Sequence, residues 1–193
     1  GNLEIPAHMP DRVREGALVS LWRPNPTKAL KQDLISFMAP ATGFRMLMMN
    51  VEALSTAKGQ KFLTSVLKSS RALLTIDEST AIKSPKASRT KALIKIASLA
   101  AYRRILTGFP VTQSPMDLWS QCRFLDKDLL GDCGDNFFQF QYRYAIMNKR
   151  TMGAHSFNQI VGYRNLEELS GMLKNFSSRV MKDECLDLPS KIY

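Results

Sequence analysis

Short apolar runs alternate with amphipathic segments over the first part of the chain. Four apolar runs have the length and composition of buried strands: 17–22, 44–49, 72–76 and 102–106. Three segments between them carry apolar residues at helical spacing: 27–38, 56–69 and 86–100. Thr27 is suited to cap the first of these helices, and Pro85 to start the third. Strands that alternate with helices predict an α/β fold, with a parallel sheet covered on both faces.

The pattern changes after residue 110, where the apolar spacing predicts mainly helices. The helical segments are 115–125, 135–144 and one that Asn165 caps, with Leu166, Leu169, Met172 and Leu173 on its apolar side. One strand candidate remains, at 178–181. We therefore expect two parts: a sheet-bearing part at 1–110 and a mainly helical extension at 111–193.

The charge of the chain indicates the kind of partner it favours. Lys and Arg number 27 against 17 acids, which gives a formal charge of +10 and a pI near 9.7. A field of this sign attracts polyanions, although charge alone leaves nucleic-acid binding and an ordinary basic surface equally open. No apolar run is long enough to span a membrane, and the first residues lack the pattern of a secretory signal. The three scattered cysteines include no C-x-x-C pair, which argues against structural zinc and disulfides and suits a reducing compartment.

Two adjacent carboxylates, Asp77 and Glu78, directly follow the apolar run at 72–76. Ligands of open α/β sheets bind at the carboxyl ends of the strands. Asp77 is suited to hold Mg²⁺ through water, and Glu78 to polarise a water that attacks a phosphate. A solvated acidic turn after a strand has the same appearance, so these two residues alone leave both interpretations open.

A run of basic residues follows this acidic motif. It comprises Lys83, Lys86, Arg89, Lys91 and Lys95, with no acid between 83 and 95. Such a cluster can neutralise a phosphate backbone without reading its sequence. A solvated basic helix face is an equally good interpretation of the pattern. A group of aromatic residues at 137–144 could stack on nucleobases, but we expect it to pack the helical extension.

Several motifs occur in register along the chain. They are Asp77-Glu78-Ser79-Thr80-Ala81-Ile82-Lys83, Arg89-Thr90-Lys91, Leu106-Thr107-Gly108-Phe109-Pro110 and Phe124-Leu125-Asp126. Flanking them are Asn50-Val51-Glu52-Ala53-Leu54, Arg179-Val180-Met181-Lys182-Asp183 and Leu188-Pro189-Ser190-Lys191. This series resembles the Swi/Snf-type ATPases of helicase superfamily two, over about residues 50–191. The compact spacing looks most like small phage or bacterial members.

The resemblance implies a fold and an activity for the protein from which this chain comes. It implies a partial RecA-like lobe at 1–110 and an extension at 111–193 that leads toward a second RecA-like lobe. The intact parent is expected to use ATP and Mg²⁺ to translocate on double-stranded DNA. Asp77 and Glu78 would act as described above, Thr107 and Gly108 would couple hydrolysis to movement, and Lys83, Lys86, Arg89 and Lys91 would contact DNA. The expected location is the cytoplasm of a bacterium or infected host, or the nucleus of a eukaryote.

Two departures from the family pattern limit what this chain is expected to do alone. Phe109 stands where the family usually has Thr, so a hydroxyl is missing from the coupling motif. None of the ten glycines is followed by Lys, so the phosphate-binding loop G-x-x-x-x-G-K-[ST] is absent from this sequence. We expect that loop upstream and the arginine finger in the second lobe. Neither ATP nor Mg²⁺ is therefore expected to bind tightly to this chain alone.

Two other functions are compatible with the same residues. The first is a basic α/β module that binds DNA or a partner protein and never hydrolyses ATP. The second is an unrelated metal-dependent hydrolase that uses Asp77 and Glu78. This last function would require turnover of a small phosphoester without the phosphate-binding loop.

Overall fold

The computed structural model describes residues 10–14, 16–40, 43–153 and 155–180, and these form two compact units, Gly1–Lys127 and Asp128–Tyr193. The first unit contains the helices α1 Asp11–Arg14, α2 Lys28–Met38, α3 Ala57–Ser69, α4 Ser88–Ala97 and α5 Asp117–Leu125. Its strands are β1 Leu18–Leu21, β2 Arg45–Met48, β3 Leu73–Ile76 and β4 Tyr102–Ile105, and two 3₁₀ turns lie at Val51–Ser55 and Ser79–Ile82. Among the described residues, no helix is long and apolar enough to cross a membrane.

The four strands of the first unit form two parallel pairs. Strand β1 pairs with β2, and β3 pairs with β4 in a register that sets Leu73 opposite Tyr102 and Ile76 opposite Ile105. A helix connects the two strands of each pair, as parallel pairing requires. The α/β fold predicted from the alternating pattern is therefore confirmed.

Local sequence explains where two of the helices begin. The hydroxyl of Thr27 accepts the backbone N–H of Leu30 at 3.3 Å, as predicted for a cap of α2. The hydroxyl of Thr56 caps α3 by accepting the N–H of Gly59 at 3.1 Å. These bonds satisfy N–H groups that the first helical turn leaves without partners.

One apolar core holds α3, α4 and α5 against β3. Its buried members are Leu54, Leu63, Leu67, Ile76, Ile82, Leu93, Ile96, Ala97, Ala100 and Phe124. Each large side chain buried in this way contributes roughly 1.5–3 kcal/mol. Because Phe124 is fully buried here, α5 belongs to the first compact unit, which ends at Lys127. The domain boundary predicted from the sequence, between 110 and 111, therefore lies before the boundary between the two compact units, which follows Lys127.

The two faces of the β3–β4 pair differ. Leu74, Ile76 and Ile105 face the core, whereas Leu73 and Tyr102 are exposed. The expectation of a sheet covered on both faces is therefore wrong for this pair within the described residues. The reason is that α3, α4 and α5 contribute to the one core on the side of Ile76.

The second unit combines helices with a hairpin. It contains a 3₁₀ turn at Gly131–Cys133, α6 Phe137–Tyr144, β5 Ala145–Met152, β6 His155–Tyr163 and α7 Leu166–Lys174. Both predicted helices are present, and β5 and β6 add an antiparallel hairpin that the apolar pattern did not predict. The strand expected at 178–181 is wrong over 178–180, which form neither helix nor strand. Residues 181–193, with the motif at 188–191, lie outside the described residues.

Candidate functional site

The carboxyl ends of β3 and β4 bring two sequence motifs side by side. Asp77 and Glu78 follow β3, and Leu106 with Thr107 and Gly108 follows β4. The N–H of Leu106 donates to the carbonyl of Ile76 at 2.8 Å, and the N–H of Ser79 donates to the carbonyl of Leu106 at 3.0 Å. The backbone ladder thus continues past both strands and joins the acidic motif to the coupling motif.

A strained turn presents the two carboxylates. Glu78 has φ 51° and ψ 61°, in the left-handed region that residues with a Cβ rarely adopt. Its N–H donates to Oδ1 of Asp77 at 3.0 Å, which fixes the Asp77 carboxylate against the turn. Both acidic residues are exposed. Strain of this kind costs about 1–3 kcal/mol and is concentrated at functional sites.

A buried hydrogen-bond network lies beneath this turn. The hydroxyl of Ser79 donates to Oε1 of Gln121 at 2.5 Å. The side-chain N–H₂ of Gln121 donates to the carbonyls of Pro110 at 2.7 Å and Asp117 at 2.8 Å. Gln121 and Ser79 are both 0% exposed. One amide therefore connects the acidic turn, the end of the coupling motif and α5.

Sequence reasoning did not identify Gln121. Its signal is its spacing, because it lies three residues after Leu118 and three before Phe124, on the apolar side of α5. A polar residue at such a position is buried with its helix face and needs hydrogen-bond partners.

Asp117 organises the loop that follows the coupling motif. Its Oδ2 accepts the N–H of Thr112 at 3.1 Å, the hydroxyl of Thr112 at 2.9 Å and the N–H of Gln113 at 3.0 Å. Burial raises the pKa of Asp117, but the hydrogen bonds from Gln113 and Thr112, together with the charge of Lys83, outweigh burial and lower the pKa overall. Asp117 is therefore held as a carboxylate.

The predicted basic cluster divides into two groups. Arg89 donates from Nε to the carbonyl of Ala81 at 2.8 Å and forms an ion pair with Glu52 at 2.9 Å. Arg89 thereby connects α4 to both 3₁₀ turns of the first unit and stabilises their packing. Lys83 donates to the hydroxyl of Thr112 at 2.6 Å. Lys86, Lys91 and Lys95 are exposed.

The coupling motif is exposed at its centre. The hydroxyl of Thr107 accepts the N–H of Phe109 at 3.2 Å, which forms a tight turn around Gly108. The Phe109 side chain is 74% exposed, so it contributes nothing to the core. Phe109 fills the position of the expected Thr without a contact that replaces the missing hydroxyl.

Comparison with a family model identifies the class of this protein. The model described as the SNF2-related domain matches residues 31–193. This chain belongs to the SNF2-related domain family. The match agrees with the resemblance to the Swi/Snf-type ATPases of helicase superfamily two that the motifs carry, and with a RecA-like lobe for the α/β unit.

Individual relatives agree with this family. The chain is 34% identical over 118 residues to TATA-binding protein-associated factor MOT1 of Saccharomyces cerevisiae. This alignment covers 61% of this chain and 6% of that protein. It is 31% identical over 145 residues to DNA excision repair protein ERCC-6-like of Bos taurus. This second alignment covers 74% of this chain and 11% of that protein. The chain is also 34% identical over 117 residues to the SWI/SNF-related matrix-associated actin-dependent regulator of chromatin subfamily A-like protein 1 homolog of Caenorhabditis elegans. The alignment covers 60% of this chain and 16% of that protein.

The chain thus spans between 6% and 16% of the length of these relatives. The likeness to compact phage or bacterial members stays a prediction.

The donor set of the SNF2-related site suits one kind of metal. Among the described residues there is no group of three or more His, Cys, Asp or Glu side chains that could enclose an ion. Exposed carboxylates at a sheet edge instead fit Mg²⁺, which keeps several waters and uses one or two carboxylates together with substrate phosphates. Asp77 fits this role because its carboxylate is both exposed and fixed by the N–H of Glu78.

Proposed function

We propose that this chain is the part of an ATP-driven motor on double-stranded DNA that carries the acidic motif and the coupling motif. The observation that supports it most is the parallel β3–β4 ladder, which extends through the bond from Ser79 N–H to Leu106 carbonyl. In that arrangement a change at the phosphate site alters the backbone that leads into Thr107 and Gly108. The protein acts where DNA is present, in the nucleus of a eukaryote or the cytoplasm of a bacterium.

In the proposed reaction, each acidic residue has its own task. Asp77 would hold Mg²⁺ through water, and the bound ion would supply positive charge to the phosphate oxygens. Glu78 accepts a proton from the attacking water, and its strained turn keeps the carboxylate at the sheet edge. Thr107 and Gly108 relay the state of the site to DNA contacts and lobe closure.

Lys86 and Lys91 are the proposed phosphate contacts of the first unit, assisted by Lys83. Arg89 is not proposed as a phosphate contact, because its guanidinium forms an ion pair with Glu52 and a hydrogen bond to the carbonyl of Ala81. A matched comparison separates the two roles. Lys86→Ala with Lys91→Ala should weaken duplex binding and lower its salt dependence while leaving stability unchanged. Arg89→Ala should lower the free energy of unfolding by about 1 kcal/mol; a larger effect on DNA affinity than the lysine variant would contradict the division.

The ATPase proposal is tested in the intact protein, which supplies the phosphate-binding loop and the second lobe. ATP hydrolysis is measured with and without duplex DNA for the wild type, Asp77→Asn and Glu78→Gln, with the exposed Asp33→Asn as control. We expect stimulation by DNA and a loss of about 10²–10⁴-fold for Glu78→Gln. This chain alone should hydrolyse little ATP.

The competing function is a basic binding module without ATPase activity, and the exposed Lys86 and Lys91 favour it to the same degree. It predicts that the intact protein binds duplex DNA but hydrolyses no ATP, and that Asp77→Asn changes nothing. That result would end the enzyme proposal and leave the DNA contacts in place.

A further inference from the structure

The β5–β6 hairpin, called the ribbon below, has an unusual composition. No Asp or Glu occurs from 136 to 166, whereas Arg143, Lys149, Arg150 and Arg164 all lie in this stretch. In β5 only Ala145 is buried, and no residue of β6 is fully buried. The ribbon is therefore a positively charged element that contacts solvent along nearly its whole length.

The register of the ribbon shows which side chains share a face. On one face the opposing pairs are Asn148 with Gln159, Arg150 with Phe157, and Met152 with His155. On the other face they are Met147 with Ile160, Lys149 with Asn158, and Thr151 with Ser156. Each face thus combines a cation with amide or hydroxyl groups. Such groups donate hydrogen bonds to phosphate oxygens and to base edges.

The ribbon is fixed at its base and exposed toward its tip. The N–H of Arg164 donates to the carbonyl of Tyr144 at 3.0 Å, and its guanidinium lies 5.4 Å from the centre of the Tyr142 ring. Nε of Arg164 also donates to the carbonyl of Arg143 at 3.2 Å. At the other end, Met152 is 74% exposed. A two-stranded hairpin without such support is marginal in water, so the base provides the stability that the faces do not.

Exposed aromatic residues lie beside this base. In α6, Phe140 and Tyr144 are fully buried, whereas Phe138 is 74% and Tyr142 is 72% exposed. The expected packing role of the aromatic group is therefore correct for Phe140 and Tyr144 and wrong for Phe138 and Tyr142. Phe138 and Tyr142 line one open concavity together with Asp132, Arg143 and Arg164. Arg143 is paired with Glu168 at 2.8 Å, so this surface is aromatic and of mixed charge, and the positive charge of the ribbon itself comes from Lys149 and Arg150.

Charge and dimensions favour a nucleic-acid duplex as the partner. A strand of eight residues extends roughly 27 Å at about 3.4 Å per residue. The major groove is about 12 Å wide and accepts a two-stranded ribbon. An acidic protein surface would match the charge, but it would not offer a groove of this width, in which the amide groups of the ribbon can meet base edges.

We propose that the ribbon is a second contact with duplex DNA, in which Lys149 and Arg150 bind phosphates from its two faces. This inference rests on the proposed function for its choice of DNA, and it assigns a DNA contact to the second unit in addition to Lys86 and Lys91 of the first unit. Since the contact is mainly electrostatic, its contribution weakens steeply as salt increases.

The test compares two charge-matched double variants of the 193-residue chain. One removes Lys149 and Arg150 (Lys149→Ala with Arg150→Ala), and the other removes two exposed lysines of α2 (Lys28→Ala with Lys31→Ala). Binding to a fluorescent duplex of about 20 base pairs is measured by anisotropy between about 50 and 200 mM salt. The ribbon variant should bind about tenfold more weakly, and its salt slope should fall by about 2. The α2 variant should bind within about twofold of the wild type.

Each alternative result has a definite meaning. Equal losses in both variants would show a general charge effect and overturn the inference. A loss in the Lys86 and Lys91 variant but not in the ribbon variant would overturn the inference and leave the proposed function standing. The reverse would support the ribbon and remove the proposed contact of the first unit.

Two competitors identify the partner, and one control checks folding. Displacement of the duplex from the wild type by poly-glutamate, with no effect of poly-glutamate on the ribbon variant, would indicate an acidic protein partner and overturn the choice of DNA. Tighter binding of a single strand of equal length would likewise contradict the choice of a duplex as the partner.

Because both replaced side chains are exposed, circular dichroism and the thermal midpoint of the ribbon variant should match those of the wild type. Exchange of the cations (Lys149→Arg with Arg150→Lys) should retain binding.

Discussion

The hydroxyl of Ser79 donates a 2.5 Å hydrogen bond to the side-chain oxygen of Gln121, and both side chains are inaccessible to solvent. The bond joins residues 42 positions apart in the chain. Through the same Gln121 amide, the turn after the acidic motif is connected to the carbonyl of Pro110, which ends the coupling motif. The buried amide therefore gives the two motifs a shared support in addition to the strand ladder.

Replacement of Gln121 by Leu should destabilise the protein although Leu has a similar size. The change leaves the buried hydroxyl of Ser79 without its partner, which costs about 1–3 kcal/mol, and it removes the side-chain bonds to the carbonyls of Pro110 and Asp117. Urea unfolding measures the loss. The control is Gln32→Leu on the exposed side of α2, which should change the free energy of unfolding by less than about 0.5 kcal/mol. Equal effects of the two variants would contradict the role of the network.

Asp117 should make stability depend on pH in the acidic range. Its pKa in the folded protein lies below the usual value near 3.8, so its contribution is complete above that value and is lost as pH falls through the lower folded pKa. Asp117→Asn should cost about 1.5–3 kcal/mol at neutral pH, because hydrogen bonds to a charged group are lost. Unfolding measured from neutral to acidic pH should show the difference between variant and wild type narrowing below about pH 4. A constant difference would argue against the ionised carboxylate as its cause.

Glu78 should be a residue at which function opposes stability. Glycine adopts the left-handed conformation without the steric penalty of a Cβ, so Glu78→Gly should raise the free energy of unfolding by about 1 kcal/mol. Glu78→Ala removes the same carboxylate but keeps the Cβ, so it should give no such gain. In the intact protein both variants should lose ATP hydrolysis. Stabilisation by Ala equal to that by Gly would point to charge, and not backbone strain, as the source.

Two helical glycines should respond in opposite directions to replacement by alanine. A Cβ at Gly59 in α3 would overlap the backbone carbonyl of Ala53, whereas a Cβ at Gly171 in α7 would meet no atom within 4 Å. Gly171→Ala should therefore stabilise by about 0.5–1 kcal/mol through helix propensity. Gly59→Ala should destabilise, because α3 must move away from the 3₁₀ turn at Val51–Ser55. Thermal unfolding of the two variants measures whether each change raises or lowers stability. A higher stability of the Gly59→Ala variant would contradict the close packing of α3 on that turn.

The sequence was most informative where local pattern and pairing agree. The short apolar runs predicted β3 and β4, and parallel pairing then required Asp77 and Thr107 to lie at one edge. The role of Arg89 could not be predicted from the sequence. A cation in a basic run has the same sequence pattern whether its side chain contacts solvent or forms an ion pair with Glu52. Its partner is 37 residues away and is set by the packing of α4 on the 3₁₀ turn.

The ribbon was missed for a different reason. Strands are recognised by apolar residues that alternate toward a core, and the ribbon has no core on either side. Its pairing follows from the backbone and from the anchored base at Tyr144 and Arg164. Amphipathic spacing did predict α6 and α7 on either side of it, because those helices each bury one face.

The exposed ribbon also has a consequence for how the protein behaves at high concentration. Its outer strand edges carry unpaired N–H and carbonyl groups, which are a template for pairing with a second copy of the chain. Lys149 and Arg150 oppose such self-association, since two copies that meet edge to edge bring like charges together. Salt that screens these charges, or removal of the two side chains, should therefore favour aggregation. The charges that attract a polyanion should thus also disfavour self-association through the edges of the ribbon.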